Sequence, residues 1–381
     1  MPIRPPTEDE LTDPKKAYSY ALNWVRGPWP AGEAVIATDA NISYCYAINV
    51  INGRFPAGEP TLANDAKYAC KYATGVLKAT FPAGEAAISK DPSSAAEYAR
   101  SCLQARWPEA EPVIAKAPLS AVYYARWVVG GRWPEAEDAI AKDPSSAGDY
   151  ARYILKAPWP EGEAAIAKDP NAVRYYAKEV IKGRFPAGEK AIAKNPYAAY
   201  EYATEVIHGR FPAGEAAIAK SADNAWRYAL RVIQGQWPEG EAAIARNAGA
   251  AVDYAKEVVK GRFPAGEAAI ARSADMAYDY AKEVVKGRFP AGEARIMANK
   301  FFAPHYAEFI SSLSPEDQSE FHMAHGYWAP KDKPKKNQAK DDRDYTMYRH
   351  HPAHDGDESS SATQQSKYLV EAALVKARKL R

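Results

Sequence analysis

The chain has 381 residues, and its 50 Lys and Arg stand against 48 Asp and Glu, so a net charge of +2 singles out neither nucleic acid nor a membrane surface as its partner. Three cysteines, Cys45, Cys70 and Cys102, make no Cys-x-x-Cys pair and no disulfide framework, which fits a reducing compartment. The opening Met-Pro-Ile-Arg-Pro-Pro has no apolar run, and no stretch approaches the ~18 apolar residues of a membrane span. The expectation is a soluble, cytoplasmic protein.

In chain order, residues 1–10 read as an N-terminal arm. A lone helix is predicted within residues 11–28, starting at Asp13-Pro14 and covering the first full repeat. From there an aromatic residue followed by proline recurs every 26 residues, at Trp29, Phe55, Phe81, Trp107, Trp133, Trp159, Phe185, Phe211, Trp237, Phe263 and Phe289. With this aromatic as position 1, position 2 is Pro and position 5 is Glu in all eleven copies. Position 8 is Ile in ten copies and Leu62 in the other. Tyr at position 18 and Ala at position 19 occur in twelve, counting Tyr20-Ala21 and Tyr306-Ala307.

The punctuation predicts two helices per repeat. Pro at position 2 suits a first helical turn, and Glu at position 5 lies near the positive end of the helix dipole. The first helix is expected over positions 2–10, with 4, 7 and 8 as its apolar side. Asp or Asn at position 11 followed by Pro at 12, as in Asp91-Pro92, Asp143-Pro144, Asp169-Pro170 and Asn195-Pro196, reads as N-cap and first residue of the second helix. That helix is expected over positions 12–24, with its core at 15, 18, 19, 22 and 23. Gly at position 25 (Gly53, Gly131, Gly183, Gly209, Gly235, Gly261, Gly287) reads as a left-handed C-cap. Helices this short are marginal alone, so stability must come from stacking. The fold class is therefore all-α: an α-solenoid, of either hand, of about eleven 26-residue two-helix repeats over residues 11–300. Residues 301–328 read as a C-terminal cap and the polar 329–365 as a flexible linker. Residues 366–381 read as a basic amphipathic helix and a tethered second contact.

The layout resembles the helical-hairpin solenoids, the tetratricopeptide, Sel1-like and HEAT-type repeats, which present surfaces to protein partners. The resemblance is architectural, since the period is shorter and the tetratricopeptide signature is not in register. The wording Gly183-Arg184-Phe185-Pro186-Ala187-Gly188-Glu189 followed by Tyr202-Ala203 is similar to repeats in uncharacterised bacterial and bacteriophage proteins. It implies no activity, and no functional residue is carried over.

An enzyme needs one asymmetric pocket, whereas the Glu of position 5 and the Tyr of position 18 recur in every layer. They read as a scaffold ladder, with the Tyr hydroxyl meeting a Glu or a helix-end carbonyl of the adjacent layer. The position-1 aromatic reads as a wedge between helix pairs. No Gly-rich phosphate loop or nucleophile elbow occurs, and neither catalytic nor cofactor-binding residues are assigned. His322 and His325, and then His350, His351 and His354 with Asp355 and Asp357, have no fitting cysteines, so no metal site is assigned. Function is expected at the variable positions 13, 14, 16, 17, 20 and 21. Position 16 carries Tyr44, Tyr200, Trp226 and Tyr278, and position 20 carries Arg100, Arg126, Arg152, Lys178, Lys256 and Lys282. These ten are the candidate partner-binding residues, although the central repeats carry the Arg row without the position-16 aromatics. Position 21 adds Glu179, Glu205, Glu257 and Glu283, which read as solvated pairs beside the lysines. A second basic row at position 26, Arg54 to Arg288, reads as capping and pairing with the Glu at position 5. The reading is a non-catalytic protein–protein interaction scaffold for a protein or peptide. The alternative is an electrostatic binder of nucleic acid through rows 16, 20 and 26, and no membrane partner is expected.

Overall fold

A computed structural model describes residues 4–326 of the chain. The expected linker and basic helix lie outside the described residues, as do His350, His351, His354, Asp355 and Asp357. Among the described residues every regular element is helical, in tandem at about 26 residues per repeat, which is the all-α solenoid architecture. None of these helices is long and apolar enough to cross a membrane. The chain divides into two compact bodies, one ending at Phe302 and one beginning at Ala303.

In the first body, the first helix of each repeat starts at its proline and ends at position 8, as in Pro30–Ile36, Pro82–Ile88 and Pro186–Ile192. It is thus two residues shorter than expected. Repeats 2 and 4 depart further. Repeat 2 has a 3-10 turn, Pro56–Gly58, before Glu59–Ala63, and repeat 4 keeps only Glu111–Ile114 as α-helix. Both carry an extra proline at position 6, Pro60 and Pro112, which removes an N–H that the first turn would use.

The second helix begins as expected. The side chains of Asp39, Asp91, Asp143, Asp169 and Asn195 each accept from the backbone N–H three residues on, at 2.7–2.9 Å. Asp13 caps the lone helix Pro14–Tyr20 in the same way. The rest of the second helix departs from a uniform α-helix. Regular α geometry ends at about position 18, and positions 19–23 form a π turn, eleven times over, from Ala21–Val25 to Tyr280–Val285. π turns often mark functional sites. Recurrence in every layer makes this one part of the scaffold.

The C-cap expectation at position 25 is wrong by one residue. The left-handed residue is position 24, and it is Arg26, Asn52, Lys78, Gln104, Lys156, Lys182, His208, Gln234, Lys260 or Lys286, with a glycine only at Gly130. Its N–H and that of position 25 both reach the position-19 carbonyl, as Arg26 and Gly27 do to Ala21 at 2.7 and 3.4 Å. The π turn moves the reversal one residue earlier than a plain α-helix ends. Position 25 meets no crowding and accepts Ala79, Ala105 and Ala157.

Positions 1, 4, 8, 15, 18 and 19 form the core, while 22 and 23 are only half-buried. Position 4 is a close approach, filled by glycine in nine repeats and by the buried Ala110 and Ala136 in two. At Gly188 a Cβ would stand 2.4 Å from Val173 Cγ2 and 2.9 Å from the Phe185 ring.

The invariant Tyr binds the layers together. Tyr46 Oη accepts from the Trp29 N–H at 2.6 Å and donates to Glu33 Oε1 at 3.0 Å. Its ring packs on Phe55 of the next repeat, with centroids 5.0 Å apart and planes at 67°. The pattern persists to Tyr280, which takes the Phe263 N–H, gives to Glu267 and packs on Phe289. The glutamate partner therefore belongs to the same repeat, and the second partner is a backbone N–H, correcting the expected adjacent-layer carbonyl. Each ring pair contributes about 0.5–1.5 kcal/mol beyond its buried area.

The position-26 arginines brace this ladder. Arg54 holds Glu59 with two prongs, Nε at 2.6 Å and a terminal nitrogen at 3.0 Å, and Arg106, Arg132, Arg184, Arg210, Arg262 and Arg288 each bond the next position-5 glutamate likewise. Those guanidinium bonds hold the carboxyls of Glu59, Glu111, Glu137, Glu189, Glu215 and Glu267 below the usual carboxylate range. Burial, and then the bond to glutamate, push the Tyr72, Tyr124 and Tyr202 phenols up to about 12.

The second body contains Pro315–His325, capped by Ser314. His322 and His325 both lie against Phe321, with ring centroids 5.9 and 4.9 Å away.

Candidate interaction surface

Position 16 turns out to be a packing position. Tyr200 is buried at 3% exposure, so it does not belong to an exposed row. Tyr44, Trp226 and Tyr278 are half-buried, and Tyr44 rests 6.2 Å from Tyr68 of the next repeat. Position 16 is one residue past the core position 15, so its side chain points toward the neighbouring second helix.

Position 20 does face outward. Arg100, Arg126, Lys178, Lys256 and Lys282 are exposed and Arg152 is half-buried. The central repeats have no aromatic at position 16, as expected, but rings reach their arginines from positions 21, 17 and 13. The Arg100 guanidinium lies 5.5 Å from the Tyr123 ring and 5.4 Å from Trp127. Arg126 lies 4.7 Å from Trp127 and 4.1 Å from Tyr153. Arg152 lies 4.5 Å from Tyr153 and 5.9 Å from Tyr175. Arg174, at position 16, lies 4.1 Å from Tyr175 and 5.4 Å from Tyr197. Arginines and rings thus alternate without a gap from repeat 3 to repeat 7.

The strip is diagonal, because its rings stand at position 21 in repeats 4 and 5, at 17 in repeat 6 and at 13 in repeat 7. Those positions are spaced by four, so they line one helix face, and each step to the next repeat can move one turn back. Counting aromatics at a single position hides this. Trp127 and Tyr197 keep 50% and 49% of their surface in solvent, and Leu119, one face-mate of Tyr123, keeps 66%. Each cation–π contact at such an exposed site contributes about 0.5–1 kcal/mol.

Carboxylates interleave with the cations, and they do so between repeats. Lys178 Nζ meets Glu205 Oε1 at 2.7 Å, and Arg152 and Lys256 bond Glu179 and Glu283. The nearly buried Arg174 reaches Glu201 at 3.4 Å and Glu205 at 3.9 Å. Burial raises the Glu201 carboxyl above the usual range, with Glu205 adding to the effect. Among the described residues, no three His, Cys, Asp or Glu side chains are grouped to hold a metal ion. Compared with protein-family models, characterised proteins and solved structures, the chain matches none.

Proposed function

We propose that the chain is a non-catalytic scaffold that binds a protein or peptide along the diagonal arginine–aromatic strip of repeats 3–7. The observation that carries this reading is the strip itself: flat rings and guanidinium groups, exposed or half-exposed except for the buried Arg174, and held in fixed order by one another. Tyr, Trp and Arg dominate the energetics of protein interfaces because they offer large area at low entropy cost. The charge balance favours polypeptide over nucleic acid. On positions 16, 17, 20 and 21 of these repeats the cations Arg100, Arg126, Arg152, Arg174 and Lys178 are matched in number by Glu97, Asp149, Glu179, Glu201 and Glu205, five against five. A phosphate backbone would meet as many carboxylates as cations there, and its binding would fall steeply with salt.

Random peptides displayed on phage and selected on the immobilised full chain test the reading. Selected peptides should survive high-salt washing, and the Trp127→Ala/Tyr153→Ala variant should weaken them at least about tenfold. If no peptide is retained while labelled single-stranded RNA binds in a salt-dependent manner, the nucleic-acid reading replaces this one.

A further inference from the structure

Over repeats 3–9 the cations at position 20 follow a rule that breaks at one place. Where position 21 of the next repeat is glutamate, it takes the cation: Arg152 with Glu179, Lys178 with Glu205, Lys256 with Glu283. Two consecutive repeats have an aromatic there instead. Arg100 meets Trp127 and falls back on Glu97 of its own helix at 3.6 Å. Arg126 meets Tyr153, and among the described residues no carboxylate lies within ion-pair distance of it.

We propose that Arg126 is an anchor for a carboxylate side chain of the bound polypeptide, so that the partner segment carries an Asp or Glu. This deepens the protein-binding reading above and rests on it. The guanidinium carbon lies over the Trp127 and Tyr153 rings, 4.7 and 4.1 Å from their centroids. Among the described residues no oxygen accepts from its N–H edge, which is the polar surface still unspent. That edge is a planar fork of donors, which matches a carboxylate with two parallel bonds. Its orientation is set before binding, so little rotamer freedom is lost when the partner arrives. Trp127, half in solvent, lies beside it as apolar contact, and the exposed Leu119 stands about two turns back on the same helix, giving an acidic residue with apolar neighbours as the matching sequence.

The test uses two pools of labelled random peptides, one with a fixed central glutamate and one with glutamine, passed over the full chain. The wild-type chain should retain the glutamate pool about tenfold more strongly. Arg126→Ala should bring the pools level. Tyr153→Glu should do the same by a different route, because it installs the carboxylate that Glu179 and Glu205 provide in later repeats. That variant keeps a residue the fold already uses at position 21, and its thermal midpoint should fall no further below wild type than that of Tyr153→Ala. Lys256→Ala, in repeat 9, should leave the preference intact. Equal retention of both pools by wild type, still abolished by Trp127→Ala, overturns the carboxylate anchor and leaves peptide binding standing. A preference that survives Tyr153→Glu also overturns the anchor. Retention of neither pool removes both readings.

Discussion

Two ladders of aromatic rings run through the same repeats, and they obey different rules. The inner one, the Tyr of position 18 between successive position-1 aromatics, is built from the same residues in every layer and is almost fully buried. The outer one, arginines between Trp127, Tyr153, Tyr175 and Tyr197, occupies a few repeats, shifts position as it goes and is half in solvent. In later repeats the same outer places hold lysine–glutamate pairs such as Lys256 and Glu283. Invariance within the chain therefore marks what stacking requires. A local departure from the pattern on an exposed face marks what stacking does not require.

The contrast is sharpest in stability. Tyr150 is fully buried, bonds the Trp133 N–H at 2.7 Å and Glu137 at 2.8 Å, and packs on Trp159. Its replacement by Ala should cost about 3–5 kcal/mol in chemical denaturation, as for large aromatic core deletions. Tyr153→Ala, three residues on, should cost no more than about 1–2 kcal/mol, the loss of two exposed cation–π contacts. Equal costs would erase the distinction between the ladders.

Glycines divide in the same way. Gly188→Ala forces a Cβ against Val173 and Phe185 and should destabilise by about 1–3 kcal/mol. At Gly235 a Cβ meets nothing within 4 Å, and alanine there should be neutral or stabilise by about 0.4–1 kcal/mol. Thermal unfolding of the two variants separates them.

The inner ladder should also set the pH limits. Glutamates whose folded pKa is depressed contribute stability that is present above their unfolded value of about 4.3 and lost as pH falls through the folded one. Glu59, Glu111, Glu137, Glu189, Glu215 and Glu267 are of this kind, so acid should unfold the chain below about pH 4. Tyrosines whose folded pKa is raised contribute stability that is complete below the unfolded value and lost as pH rises. With Tyr46, Tyr72, Tyr124, Tyr176, Tyr202 and Tyr280 at about 12, stability should fall between about pH 10 and 12. Circular dichroism across pH reads both limbs, and Arg184→Gln should flatten the acid limb by releasing Glu189.

The smallest effect is expected at position 24. Lys182→Gly relieves a left-handed φ of 56° but loosens the unfolded chain, for a net change below about 1 kcal/mol. A large loss would mean that the lysine side chain, and not the π turn, sets the reversal.

Much of the architecture was legible because a repeat states its own rules. Pro at position 2, Asp or Asn at 11 and the Tyr-Ala pair at 18–19 are each local in origin: a missing N–H, a cap, a face spacing. From such residues the helix starts, the period and most of the buried face follow. The π turn was not legible, since nothing in the residue types of positions 19–23 distinguishes five-residue from four-residue hydrogen bonding. The shifted left-handed residue follows from that turn, which is why glycine at position 25 misled. The outer strip escaped for another reason. Its members, Arg126, Trp127, Tyr153, Arg152 and Tyr175, occupy different positions in different repeats, and only the side-by-side packing of second helices brings them into one line. Sequence by itself determined the layer, because each layer is a short-range problem solved the same way every time. Tertiary structure alone decided which side chains of different layers meet, because that depends on the offset between stacked helices, a quantity no single repeat contains.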